Sequence, residues 1–305
     1  MAIDLFAQRQ LVVASLDPTT GNVDSSNIQL LSEWQRGERN TSLVNLVHGH
    51  TLFDILKDDL GLVRYDNTEH RYFPTFLTYN SEYDVERDCM QLLGKIAEAL
   101  IVKACHKSVY ENRNWAKYAR RGQRQVPQLD NFIAVGTGLH STFNSVYVTK
   151  HNPNDTQRDI LWVNKERINE QMMMINNQSR NSGNPAGLQI KVSRDGFNYV
   201  YRKDIARSKY EVPLVYFDLG NDFQDLANAI YRDDRNVDIG YDFIRGSDIN
   251  FDIHEQLYSY YFLLRSILKG IFPIQNLLNH DEVLNVSTKL DLQEISDSSV
   301  NILQV

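Results

Sequence analysis

The chain has 305 residues, 42% hydrophobic and 23% charged, with 15 Gly, 7 Pro, 2 Cys and a formal net charge of −7. This is the composition of a folded globular chain rather than a disordered or fibrous one, and no run of about 18 apolar residues is present to span a membrane. At −7 the net charge does not attract nucleic acid, so any such contact needs a local basic patch. Cys89 and Cys105 form no CxxC, which argues against a disulfide scaffold and a cysteine zinc site. MAIDLFAQRQ carries an acid and an arginine where a secretory leader needs a continuous apolar stretch, so the expected compartment is a reducing cytoplasm.

In chain order, LVVAS (11–15) reads as a strand and NIQLLSEWQRG (27–37) as a helix stopped by Gly37. SLVNLVHGHTLFDILKDDLG (42–61) reads as a helix stopped by Gly61, and RYFPTFLTY (71–79) as a strand that Pro74 assigns to an edge. Val85, Cys89, Leu92, Leu93, Ile96 and Leu100 recur at helical spacing and define one buried stripe. NFIAVGTG (131–138) and STFNSVYVT (141–149) read as strands joined by a turn near Gly138 and His140, and DILWVN (159–164) as a short apolar strand. Residues 164–178, with Met172, Met173 and Met174, read as a helix packed through its methionines, and 180–185 as a loop. GLQIKVS (187–193) is a strand, VPLVYFDL (212–219) a buried central strand, and DFQDLANAIYR (222–232) a helix. An aromatic-rich helix from Ile253 to Ile271 precedes a tail beginning near Asp281. This order suggests an α/β sandwich with a mixed sheet, its core at 84–232, an N-terminal extension at 1–83 and a C-terminal helical extension and tail at 233–305.

Positive charge is concentrated between Lys103 and Arg124, where seven cations face only Glu111. Lys107, Arg113, Lys117, Arg120, Arg121 and Arg124 are the candidate nucleic-acid contacts, interleaved with Tyr110, Trp115 and Tyr118 on which bases can stack. Residues 232–255 compensate with three arginines against seven acids.

The strand GLQIKVS sets Gln189 and Lys191 two positions apart and so on one face. Metal-dependent phosphodiester hydrolysis needs such a pair: an oxygen ligand for a divalent cation, and a fixed ammonium beside the reacting phosphate. Ile190, between them, would leave its carbonyl oxygen as a further ligand. A carboxamide alone cannot hold a metal. Asp130, opening the NFIAVG strand, and Glu98, on the preceding helix, are the candidate acids; Asp155 and Asp159 are alternatives nearer to Gln189 in sequence.

At these residues the chain resembles the PD-(D/E)xK nuclease superfamily, in its QxK variant. This restriction-endonuclease-like and Holliday-junction-resolvase-like fold is matched over roughly 84–232. The resemblance implies a restriction-endonuclease-like mixed sheet flanked by helices, with N- and C-terminal extensions. It also implies Glu98, Asp130 and Gln189 around Mg2+ or Mn2+, with Lys191 as catalytic lysine. The 59 positions between Asp130 and Gln189 require 141–180 to be an insertion. The expected function is metal-dependent cleavage of DNA, by analogy that of a prokaryotic restriction or anti-phage effector, assembled as a homo-oligomer or with a partner protein and without a membrane. The rival expectations are a non-catalytic nuclease-fold subunit that binds DNA or scaffolds a complex, and a structural or interaction protein of phage origin. Gln189 in place of an acid favours the first, and the aromatic 253–271 helix the second.

Overall fold

The structure, a computed structural model, describes residues 12–16, 23–30, 49–176, 179 and 181–278. The chain divides into two compact units. The larger comprises Ile55–Leu62 and Tyr79–Tyr261; the other takes in the described residues of Met1–Asp54, Val63–Thr78 and Phe262–Val305.

The larger unit holds helices α1 (Glu82–Lys107) and α2 (Val109–Ala119) and five strands: β5 (Phe132–Gly136), β6 (Ile160–Asn164), β7 (Gly187–Ser193), β8 (Leu214–Asp218) and β9 (Phe243–Arg245). They form one sheet in the order β5-β6-β7-β8-β9. The first three run antiparallel, and β8 and β9 parallel to β7. Between β8 and β9 lies helix α3 (Phe223–Arg232). The smaller unit holds two antiparallel hairpins, β1 (Val12–Leu16) with β2 (Val23–Leu30), and β3 (Val63–Asp66) with β4 (Arg71–Pro74). A last helix, α4 (Phe251–Leu268), starts in the larger unit. No helix among the described residues is long and apolar enough to cross a membrane.

Helix α1 forms because Val85, Cys89, Leu93, Ile96 and Leu100 return to one face every three or four residues, and all five are buried. Ser108 separates α1 from α2 and caps the second, its hydroxyl accepting from the Glu111 amide at 3.3 Å. Asn112 then ties α2 to the sheet, donating to the Phe132 carbonyl and accepting from Trp162 Nε1, both at 2.9 Å. Every residue of β8 is buried, as expected of a strand covered on both faces. Leu214 and Tyr216 join Val200, Tyr201, Phe223, Leu226, Ile230 and Phe243 in one apolar cluster. Trp115 and Trp162 are fully buried, so truncating either to Ala should remove about 3–5 kcal/mol.

Four expectations change. Residues 27–30 are strand, pairing Ala14↔Ile28 and Val12↔Leu30, because apolar Ile28 and Leu30 alternate with polar neighbours; the rest of the expected 27–37 helix lies outside the described residues. The expected strand at 141–149 is instead two helical turns, His140–Phe143 and Val148–Lys150. There Thr142 Oγ1 donates to the Gly136 carbonyl at 2.7 Å and Ser145 Oγ to the Thr142 carbonyl at 2.9 Å, so hydroxyls replace a ladder. The expected helix at 164–178 does not form over its described residues: Asn164 Oδ1 caps a turn by accepting from the Glu166 and Arg167 amides, and Met172 and Met174 then bridge Val163 and Pro185. Finally, the larger unit reaches beyond 84–232, because β9 completes the sheet and α4 up to Tyr261 packs with it, Cys89 Sγ lying 3.6 Å from the Tyr261 carbonyl. The expected helix end at Gly61 matches a left-handed φ of +66° there; residues 42–48 and the tail from Asp281 lie outside the described residues.

Candidate active site

The antiparallel register of β6 and β7 pairs Leu161 with Gly187 and Ile160 with Leu188. One step further along the same register, Asp159 falls opposite Gln189. Its amide donates to the Leu188 carbonyl at 2.9 Å, and its carboxylate turns across the strand. There Oδ2 accepts from the Ile190 amide at 2.7 Å and from Gln189 Nε2 in a short contact. Asp159 is reached through a fixed turn: Asp155 Oδ1 accepts from the Gln157 and Arg158 amides at 2.8 and 3.1 Å, and Thr137 Oγ1 donates to the Arg158 carbonyl at 2.7 Å. Glycine at 187 is required by this approach, since a Cβ there would lie 2.6 Å from Arg158 Cγ and 2.7 Å from the Ile160 carbonyl oxygen.

Gln189 is 5% exposed, and its Oε1 is buried without a hydrogen-bond partner. An unpaired buried acceptor costs about 1–3 kcal/mol, so this oxygen has a lone pair to offer any donor or cation that reaches it. Glu98 of α1, also buried, completes the group. Burial foremost, and then the Asp159 charge, push the Glu98 carboxyl well above the usual carboxylate range, against the opposing pull of Lys95 and Lys191. Burial likewise raises Asp159 to about 6, opposed by the Ile190 N–H and the Lys191 charge. Gly138 runs beside this pair, the Cβ position at 138 lying 3.9 Å from Glu98 Oε2. Lys191 is partly exposed, its Nζ 3.9 Å from Asp204 Oδ2. Buried Asp204 also accepts from Lys209 Nζ at 3.1 Å and the Tyr210 hydroxyl at 3.2 Å. Nothing in the sequence reading marked Asp204, because the turns that carry it show no periodicity.

Asp130 is a correction. It stands in the 3-10 turn Pro127–Asn131 and forms a two-pronged ion pair with Arg113, whose Nε donates to Oδ1 at 2.6 Å. That guanidinium holds its carboxyl below the usual range. Phe132 pairs with Asn164 and Gly136 with Ile160, so Asp130 lies at the opposite end of the β5–β6 pair from Asp159. At about 3.3 Å per residue the four steps from Phe132 to Gly136 put the two ends about 13 Å apart. The acid beside Gln189 is Asp159, which precedes the apolar strand ILWVN much as Asp130 precedes FIAVG; the β6–β7 register, not the local sequence, separates the two.

The basic stretch also divides. Trp115 is core, so no base stacks on it. Arg113 is occupied by Asp130, and Arg121 is buried, with Nη2 2.9 Å from Asp242 Oδ1 and 3.0 Å from the Glu211 carbonyl. Lys117 sits 3.9 Å over the Tyr118 ring. Lys107 and Arg124 are exposed.

The donors suit a hard divalent cation. Asp159 lies against Gln189 and within electrostatic reach of Glu98, and the pleat directs the Ile190 carbonyl to the same side as its amide, which meets Asp159. Among the described residues no group of three or more His, Cys, Asp or Glu that could hold a metal ion is found. Compared with protein-family models, curated proteins and solved structures, the chain matches none.

Proposed function

We propose that the chain is a metal-dependent nuclease of restriction-endonuclease-like fold that hydrolyses phosphodiester bonds in DNA. The observation that carries this reading is the buried, unpaired Gln189 Oε1 set between a carboxylate of raised pKa and the ammonium of Lys191. Supporting it is the order of parts: a helix bearing Glu98, three antiparallel strands, then a crossover to the parallel strand β8.

In this reading Glu98, Asp159, Gln189 Oε1 and the Ile190 carbonyl hold Mg2+ or Mn2+. When bound, such an ion lowers the pKa of a water and offsets charge on the phosphorane. The chain's own residues do the rest. Burial disfavours the charged forms of Asp159 and Glu98, so a cation would restore the charge that the protein interior penalises, and Gln189 Nε2 fixes the Asp159 carboxylate in place. Lys191, steered by Asp204, presents its ammonium to a non-bridging phosphate oxygen. The test is incubation of the full chain with plasmid DNA and Mg2+, beside Lys191→Ala and Asp159→Asn. Mg2+-dependent nicking lost in both variants supports the reading, and cutting unchanged in both rejects it.

A non-catalytic nucleic-acid-binding subunit is the second reading. The observation favouring it is that the site offers two acids, both of raised pKa, where a third acid would hold the cation more firmly. DNA binding by wild type with no cutting at any Mg2+ or Mn2+ concentration selects it.

A further inference from the structure

The turn after α2 is built to present two arginines. Arg121 takes a left-handed φ of +55°, and the Gly122 amide closes the helix end onto the Lys117 carbonyl at 2.9 Å. The turn is pinned from outside, the Asn176 amide donating to the Arg120 carbonyl at 3.0 Å and Ser179 Oγ to the Arg121 carbonyl at 3.1 Å. Arg121 points inward, its guanidinium held by Asp242 and the Glu211 carbonyl. Its neighbours Arg120 and Arg124 line a cavity of 530 Å3, whose wall includes Asp238 and Tyr241. Arg120 Nε is buried there without a hydrogen-bond partner, a donor left for something that accepts. With Asp242 neutralised by Arg121, two guanidiniums face one carboxylate, that of Asp238.

This cavity shares Arg121 and Asp242 with a second, of 260 Å3, whose wall includes Asp204, Lys209 and Tyr210. Asp204 is the carboxylate that faces Lys191. The ion pair of Arg121 with Asp242 is thus wall to both cavities, and the second of them is lined by the carboxylate nearest the candidate catalytic lysine.

We propose that the cavity at Arg120 and Arg124 is a phosphate subsite that grips the backbone of the nucleic-acid strand being cut, away from the scissile bond. The inference rests on the nuclease reading for its ligand class and adds which cations do the gripping. A phosphodiester between two guanidiniums satisfies the unpaired Arg120 donor, and the Tyr241 ring, 46% exposed, offers a stacking face to the attached base. Arg121 is the strut of the turn, not a ligand group, and Arg113 and Lys107 are outside the subsite.

The test is fluorescence-anisotropy titration of a labelled single-stranded oligonucleotide, over a salt series, with the full chain. An Arg120→Gln/Arg124→Gln double variant should bind at least about tenfold more weakly, with the salt slope reduced by about 0.7. Its melting temperature should match wild type, and Lys107→Ala should stay within about twofold of wild type in affinity. Double-variant affinity within twofold of wild type, or no oligonucleotide binding by wild type at all, overturns the subsite. Binding that depends on Arg120 and Arg124 in a protein that cuts no plasmid upholds the subsite and rejects the nuclease reading.

Discussion

Two aspartates mark the two ends of the β5–β6 pair, and they live in opposite electrostatic worlds. Asp130 and its partner Arg113 are each 33% exposed, and every oxygen of that carboxylate has a guanidinium donor. Asp159 is buried, meets a backbone amide and an amide side chain, and lies within electrostatic reach of a second buried acid. The guanidinium lowers the pKa of Asp130, whereas burial raises that of Asp159. A carboxylate whose charge is already answered stabilises a turn. One whose charge burial disfavours, beside an orphaned oxygen, destabilises the fold when ionised and is the place proposed for a cation.

The largest expected effect separates the two ends outright. Asp159→Asn and Lys191→Ala should each lower plasmid cleavage by about 10^3-fold or more, because each removes charge from the reacting centre. Asp130→Asn should cut within about twofold of wild type. An Asp130 variant as dead as the Asp159 variant would erase the distinction drawn here.

The second effect is on stability, and its sign differs between the ends. Asp159 titrates near 6 in the fold against an ordinary 3.8, so its contribution is fully present below about pH 4 and lost as pH rises through 6. Two units correspond to about 3 kcal/mol. Glu98, also raised, acts in the same direction. Asp130, with its lowered pKa, contributes above the ordinary carboxylate value and loses that as pH falls. In EDTA, Asp159→Asn should therefore raise the melting temperature at pH 7.5 and leave it unchanged at pH 4. Mg2+ should stabilise wild type at pH 7.5, far less at pH 5, and the Asp159→Asn variant hardly at all. Equal Mg2+ stabilisation of wild type and variant would place the ion elsewhere.

A third, smaller effect tests the orphaned oxygen. Gln189→Glu replaces it with a carboxylate, which should lower the melting temperature in EDTA and tighten Mg2+ binding by about tenfold, read by calorimetry. Unchanged affinity would mean that Gln189 does not face the ion.

Much of the sheet was legible, because its strands announce themselves locally. VPLVYFDL is apolar throughout, GLQIKVS carries its polar pair at strand spacing, and the α1 stripe repeats at helical spacing. The extended stretch after β6 was not, since KERINEQMMMINNQ has helical composition and only the side-chain turn at Asn164 and the bridges at Met172 and Met174 decide against it. Of the candidate site, Gln189, Lys191 and Glu98 are proposed from sequence, and the fold sets Gln189 and Lys191 on one strand with Glu98 buried on α1. Asp130 could not be told from Asp159, because both precede an apolar strand. What separates them is the antiparallel register, a long-range property that brings one strand start to Gln189 and carries the other to the far end. The six expected nucleic-acid contacts divide for a similar reason. Exposure and partner, not charge, decide which cations are available, and Arg113 and Arg121 are held by Asp130 and Asp242.

The smallest expected effect bears on that same division. Arg113→Gln removes a charge from a stretch that sequence alone assigns to nucleic acid, yet its guanidinium already has a carboxylate partner that solvent reaches. Exposed ion pairs contribute little, so the melting temperature should move by no more than about 2 °C. Oligonucleotide affinity should stay within about twofold, because adding a phosphate would mean breaking the pair, and the freed Asp130 carboxylate would repel it. If Arg113→Gln instead weakened binding tenfold while Asp130→Asn strengthened it, the pair would be a latch that nucleic acid opens, and this end of β5 would belong to the binding surface. A null result in both variants leaves Asp130 as the anchor of a turn and takes Arg113 out of the binding surface.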